Sequence, residues 1–195
     1  MTTKTDGLSR MKPDTVSRIL NGALVALARR GVRELSMTDV GHAANISRGT
    51  LYRYFSSKEE LLDAIGVHVE RSLINEMVRA VDERPELDVR VQVVVETIVY
   101  FQKSHPEAAQ VIAVEPGFGI DFVRRVFPEY IAVVEELLTP ALKRSSAVRA
   151  GGPTPGELSE LILRVAATTI FIPTADIDDV PRAIAAMPCL QYIES

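Results

Sequence analysis

Residues 36–58 read SMTDVGHAANISRGTLYRYFSSK, and this stretch decides the fold. Ser36-Met-Thr-Asp39 has the spacing of a capping box, a hydroxyl before the first turn and a carboxylate three residues later. It predicts a short helix to about Ala44. Ser47 predicts the cap of a second short helix ending near Phe55. Only Asn45-Ile46 remains for a tight link, and asparagine tolerates the left-handed backbone that such a link needs. Val40, Ala44, Ile46 and Leu51 are spaced to form a small core holding the two helices at a fixed angle. Two short helices joined in this way match a helix-turn-helix, whose second helix enters the major groove of DNA. Its outward residues suit that task. Arg48 can fork onto O6 and N7 of guanine, Thr50 offers a hydroxyl and a methyl, and Gly49 lets the backbone approach closely. Tyr52, Tyr54 and Lys58 can donate to phosphates, as can the first N–H groups of the helix begun at Ser47. Leu51 and Phe55 belong to the core.

Outward from this stretch the chain reads as helices. Upstream, residues 14–30 carry Val16, Ile19, Leu20, Ala23 and Leu27 on one helical face and stop at Gly31. Downstream, Ser57-Lys-Glu-Glu60 is a second capping box. It opens a helix roughly 40 Å long, with Leu61, Ile65, Val69, Leu73, Met77 and Val81 at every fourth position, ending before Pro85. Residues 88–104 are apolar nearly all round and predict a buried central helix. Pro106 begins a helix that ends near Pro116-Gly117, and a short piece at 120–126 follows. Residues 128–146 form a long apolar-striped helix that Pro140 is expected to kink or split. After a loop at 150–153, Thr154-Pro-Gly-Glu157 is a capping box with proline at the first helical position, launching a helix to Ile172. A last helix at about 180–193 is interrupted at Pro188. No segment alternates with a two-residue period and closes in a tight turn, so the predicted fold is all-α with nine or ten helices.

The 195 residues, 47% hydrophobic and 25% charged, suffice for a proper core and are too apolar for disorder. Cys189 is the single cysteine, which excludes an intrachain disulfide and a cysteine-based metal cluster and suits a reducing cytosol. Residues 1–12 are polar, read as a flexible arm and carry no secretory pattern. The apolar runs fall short of a membrane span, so a cytoplasmic protein is expected. The net charge of −4 conceals an asymmetry. Residues 1–58 hold ten Lys/Arg against four Asp/Glu, a balance of +6; residues 59–195 hold twelve against twenty-two, a balance of −10. A basic head on an acidic body attracts phosphates locally and keeps the rest of the surface off DNA.

The run Ser47-Arg-Gly-Thr-Leu-Tyr-Arg-Tyr-Phe-Ser-Ser-Lys58 resembles the TetR family signature Ser-x-Gly-Thr-Leu-Tyr-x-x-Phe-x-x-Lys. The resemblance is close over about residues 14–65 and beyond that is one of length and helix count. Gly41 stands where the family usually has alanine, Asn45 where it usually has glycine, and Tyr54 where histidine is frequent. The resemblance implies DNA contacts at Ser36, Thr38, Arg48, Gly49, Thr50, Tyr52, Tyr54 and Lys58. Beside these, Arg53 is read as an extra contact and Ser47 as one at the helix start. It implies a three-helix DNA-binding head at 13–56 and a helical regulatory and dimerisation domain at 57–195. Helices at 128–146 and 155–172 would join a homodimer as a four-helix bundle. The implied function is a repressor released from a palindromic operator by a small-molecule effector. A dimer also follows physically, because two recognition helices roughly 34–36 Å apart read a palindrome while one discriminates too little.

Tyr100, Phe101, Phe118, Phe122, Phe127 and Tyr130 fall in the stretch that lines the pocket in proteins this one resembles. Together, flanking the Pro116-Gly117 break, they suggest an adaptable cavity for an apolar or amphipathic ligand, while each singly also fits core packing. His42, His68 and His105 form no metal pattern; His68 and Glu70, two apart on a helix, point to different sides. His105 reads as a cap at a helix start, and Cys189, beside Met187 and Leu190, as packing with a redox role as the alternative. No Ser-His-Asp constellation or phosphate-binding glycine loop is present, so neither an enzyme nor a cofactor is expected. A DNA-binding regulator without small-molecule input is the alternative function, with a helical enzyme or interaction module a further one.

Overall fold

The structure, a computed structural model, describes residues 13–172 and 176–190. The arm expected at 1–12 and the end of the last expected helix lie outside the described residues. Within them there are ten α-helices and no strand: α1 (Pro13–Glu34), α2 (Met37–Ala43), α3 (Arg48–Tyr54), α4 (Lys58–Glu83), α5 (Arg90–Ser104), α6 (Pro106–Val114), α7 (Pro116–Leu142), α8 (Ser146–Arg149), α9 (Pro155–Phe171) and α10 (Asp179–Ala185). A 3-10 turn at Pro188–Leu190 follows α10.

The chain divides into two compact units, Met1–Val69 with Gln110–Gly119, and Glu70–Ala109 with Ile120–Ser195. This differs from a boundary at 56/57. Leu61 and Ile65, in the first turns of α4, are buried and fall in the first unit. So does the α6–α7 corner, where Val111 is buried.

In the first unit α1 turns Ile19, Ala23 and Leu27 inward, all at 0–1% exposure, and α2 packs against it. The contact is close because residue 22 is glycine: a Cβ there would stand 2.6 Å from the Ala44 backbone. The helix of α1 is broken at Gly31, whose φ of 73° and ψ of 168° leave the helical region. That conformation favours glycine, and the Glu115 carboxylate lies where a Cβ at Gly31 would point, 2.6 Å away.

In the second unit α5 is the central helix, with Val93, Val94, Val95 and Val99 fully buried, and it packs against α9 and α10. Arg90, at its first turn, is buried as well. Its guanidinium donates to the carbonyls of Pro85 (2.7 Å) and Leu137 (3.2 Å), tying the α4–α5 loop to α7. α9 begins with the expected capping box between Thr154 and Glu157 and with Pro155 in its first turn.

Two expectations are corrected here. The short piece at 120–126 and the helix at 128–146 are one helix, α7, running from Pro116 through Pro128 and Pro140 to Leu142. An interior proline leaves the carbonyl four residues earlier without its N–H partner. Both prolines, and Arg124 and Glu136 four residues before them, lie on the exposed face, where water can take that carbonyl. The buried row Val126, Tyr130, Val134, Leu138 and Leu142 runs unbroken on the other side. Cys189 is exposed, not packed. In the 3-10 turn it is Leu190 that points inward, at 7% exposure, while the Ser146 hydroxyl bonds the backbone carbonyls of Pro188 and Cys189.

Candidate nucleic-acid interface

The geometry around α2 and α3 is set by caps and one turn. The Ser36 hydroxyl accepts from the Asp39 amide (3.2 Å) and donates to the Asp39 carboxylate (2.6 Å), which also accepts from the Ser36 amide (3.1 Å). These hydrogen bonds hold the Asp39 carboxyl below its usual range, and Arg30, 3.6 Å away, acts in the same direction. Beyond α2 and its cap residue Ala44 comes Asn45, the single non-glycine residue with positive φ (52°) among the described residues. Ser47 then caps α3 by accepting from the Thr50 amide (3.1 Å), and the two hydroxyls lie 2.9 Å apart. Val40 and Leu51 are fully buried, Ala44 and Phe55 nearly so, and Ile46 half-buried. This small core fixes the orientation of α3 on α2, as its spacing predicts.

What α3 presents outward is basic and aromatic. Arg48, Gly49, Tyr52 and Arg53 are exposed, while Thr50 and Tyr54 are half-buried. The Arg48 guanidinium stacks over the Tyr52 ring, 5.3 Å from its centre, and that of Arg53 over the Tyr54 ring at 5.4 Å. Neither arginine is paired with a carboxylate among the described residues. Nothing lies within 4 Å of a Cβ built on Gly49, so no neighbour within the protein demands glycine there. Thr38 is exposed on α2. Lys58 has a different immediate partner from the expected phosphate. Its ammonium donates to the Arg33 carbonyl at 3.3 Å, bridging the start of α4 to the end of α1. The capping box at α4 is also displaced by one residue: Ser57 receives the Glu60 amide, while the Glu60 carboxylate reaches back to the amide and hydroxyl of Ser56.

Gly22 had no functional reading in the sequence. Its one signal is a glycine inside an otherwise good helix, which marks a close approach.

The six aromatics named for an effector have the following settings, each within its own unit. Tyr100 and Phe101 line an open cleft of about 200 Å³ between α4 and α5, whose other walls include Glu76, Arg79, Arg84 and Glu96. Arg84 and Glu96 pair across it at 2.8 Å. Desolvation, then a hydrogen bond to Asp178, raises the Tyr100 phenol above its usual range. Phe118 belongs to the first unit, and Phe122 is half-buried on α7. Phe127 lies beneath the Arg164 guanidinium, 5.0 Å from ring centre to charge. Tyr130 is buried, and its phenol is pushed far up by desolvation and by the charge of Glu70.

His105 stands at the end of α5 and, directly before Pro106, at the start of α6, where its carbonyl accepts from the Ala108 (3.1 Å) and Ala109 (3.3 Å) amides. Its ring stacks on Phe101 at 4.0 Å, with Nδ1 3.3 Å from the Phe101 carbonyl and Nε2 3.5 Å from Glu76. His68 pairs with Asn21 at 2.9 Å. No group of three potential metal ligands occurs among the described residues, and no helix there is long and apolar enough to cross a membrane.

Residues 19–65 match the family model for bacterial regulatory proteins of the tetR family. An uncharacterized HTH-type transcriptional regulator of Haemophilus influenzae is 27% identical over 99 residues, 51% of this chain and 53% of that protein. The chain thus spans about half the length of that curated relative. Among solved structures, the transcriptional regulator FadR of Bacillus subtilis in complex with stearoyl-CoA superposes with a TM-score of 0.67 at 15% identity, covering 89% of this chain and 97% of that one. AibR in complex with isovaleryl coenzyme A and operator DNA gives 0.63 at 16% identity, covering 91% of this chain and 100% of the other. At such identities the likeness is one of fold.

Proposed function

The chain belongs to the TetR family of bacterial regulatory proteins, and from that premise we propose that it is a transcriptional repressor, cytoplasmic and homodimeric, that binds a palindromic operator. The observation that carries this reading is α3: a capped helix, held by buried Val40 and Leu51, that turns Arg48, Gly49, Tyr52 and Arg53 outward, with no carboxylate on either arginine among the described residues. Arginines with free donors, beside a glycine that admits close approach, suit base edges and phosphates. Ser36, Thr38, Ser47, Thr50, Tyr54 and Lys58 complete the proposed DNA face. Selection of bound duplexes from sheared genomic DNA tests the reading. Wild type is expected to recover one palindromic site, and a Thr50→Ala/Tyr52→Ala variant is expected to lose it. Recovery of no site by wild type at low salt defeats the proposal.

The effector we propose is an amphipathic acyl thioester of coenzyme A, the ligand class named for two proteins of this fold. Ligand is expected to act by population shift, releasing DNA to the extent that it prefers the non-binding state. α4 is continuous from Lys58 to Glu83 and so belongs to both units. A displacement along it reaches Lys58 and the end of α1 that Lys58 holds. Titrating stearoyl-CoA and isovaleryl coenzyme A into the operator complex tests the class. Spin labels on the two heads test the route, and an unchanged inter-head distance on release refutes it. The cleft at Tyr100 and Phe101, about 200 Å³ and walled by Glu76, Arg79, Arg84 and Glu96, favours a second reading, a regulator without small-molecule input, which failure of both thioesters to release DNA would support.

A further inference from the structure

We propose that Tyr52 is a positioning residue for Arg48, and that the stacked pair selects guanine at one position of each half-site. The inference rests on reading α3 as the recognition helix. Arg48 is the first residue of α3, and Tyr52 stands four residues on, so both project from the same side. The guanidinium carbon lies 5.3 Å from the ring centre, within the range of a cation–π contact. The Tyr52 ring is 41% exposed, so it is not filling the core.

The guanidinium lies over the face of the ring. Its five N–H donors lie in its own plane, and a π face is a far weaker acceptor than an oxygen or a ring nitrogen, so they keep their capacity for base or phosphate acceptors. No described residue takes them: Arg48 has no hydrogen bond and no carboxylate partner there. The pair therefore presents an oriented, unsatisfied fork on an exposed surface. Guanine offers two adjacent acceptors, O6 and N7, that match such a fork, whereas adenine replaces one of them with an amino donor. A side chain already held in place loses less freedom on binding, and the oriented fork penalises bases that cannot accept twice. The ring acts here through its face. A phosphate contact by the same residue would act through its hydroxyl, so the two roles separate chemically. Arg53, stacked on Tyr54 at 5.4 Å, is the internal comparison, one turn further from the start of the helix.

The test is selection from a random duplex library with the full chain at fixed salt, comparing wild type, Tyr52→Phe, Tyr52→Ala, Arg48→Ala and Arg53→Ala. Wild type is expected to enrich a motif with one guanine per half-site preferred roughly 5- to 150-fold, the range of a bidentate contact. Arg48→Ala abolishes the preference at that position alone. Tyr52→Ala lowers it roughly three- to tenfold against the other positions. Tyr52→Phe restores it while weakening binding evenly across sequences. Misfolding would depress all positions together, so the position-specific loss and the phenylalanine rescue identify positioning. The inference is overturned if Tyr52→Ala keeps the guanine preference, if Tyr52→Phe loses it equally, or if it follows Arg53 instead of Arg48. A wild type that enriches no motif overturns the recognition-helix reading beneath it.

Discussion

Ser47 and Lys58 each spend polar atoms on the protein itself, which determines how their substitution should read out. The Ser47 hydroxyl satisfies the Thr50 amide at the start of α3 and lies against the Thr50 hydroxyl. Loss of an N-cap typically costs about 1 kcal/mol, so Ser47→Ala is expected to lower unfolding free energy by that amount in urea without any DNA present. Lys58 is half-buried and donates to the Arg33 carbonyl. Lys58→Met retains the aliphatic stem and removes the donor. It is expected to cost about 0.5–1 kcal/mol in the free protein, the scale of a partly exposed hydrogen bond. Equal stability of wild type and Lys58→Met in urea would show that the ammonium does not hold α1 in solution. The sequence nominated both residues for DNA, Lys58 through the resemblance to a family signature and Ser47 as the start of a helix whose first N–H groups can meet a phosphate. Their intramolecular roles were legible only for Ser47, whose cap is a local pattern, because Lys58 meets a carbonyl 25 residues away.

At the level of elements, local chemistry was readable and tertiary chemistry was not. The capping boxes at Ser36 and Thr154, the positive φ at Asn45 and the break at Gly31 all depend on neighbours within four residues, and each is found where the sequence put it. The continuity of α7 through Pro128 was not readable, because it depends on which face of the helix meets water. Two predictions belong to this scale. A methyl at Gly22 would stand 2.6 Å from the Ala44 backbone, which cannot yield as a flexible side chain would. Gly22→Ala is therefore expected to destabilise the first unit by roughly 1–3 kcal/mol despite alanine's better helix propensity. A neutral or stabilising result in thermal melts would mean that α1 and α2 stand further apart. The second prediction concerns pH. The Asp39 and Glu157 carboxyls are held below their ordinary values of 3.8 and 4.5, Asp39 first by the Ser36 hydroxyl and Glu157 first by the Thr154 amide. A depressed folded value contributes stability above the ordinary value and loses it as pH falls through the folded one. The melting temperature of wild type is expected to drop between about pH 5 and pH 3. In Asp39→Asn/Glu157→Gln that drop should be shallower, and parallel curves would contradict the two boxes.

For the whole molecule the decisive surface lies on α9. Leu161 and Val165 are exposed at 57% and 37%, four residues apart on one side of the helix, and Phe171 (37%) and Ile172 (73%) stand exposed at its end. Ile162, Leu163 and Ala166, turned away from Leu161, are buried in the core of the second unit. A helix apolar on both sides has a second apolar face to cover, and under the proposed function its occupant is a second copy of the chain, because a palindromic operator calls for two recognition helices. Burying a leucine contributes roughly 1.5–3 kcal/mol, and a twofold axis counts each residue twice. Leu161→Glu should therefore raise the dimer dissociation constant by roughly 10²-fold or more, and because Leu161 faces outward the secondary structure should persist. Sedimentation equilibrium is the direct measurement. At micromolar concentration the variant should run as a folded monomer, and operator affinity should fall with it, since each head alone reads half a site. A variant that stays dimeric would move the interface off this face of α9. A monomer that still binds the operator at full affinity would remove the need for a dimer in recognition, and with it the reason for placing two recognition helices one turn of DNA apart.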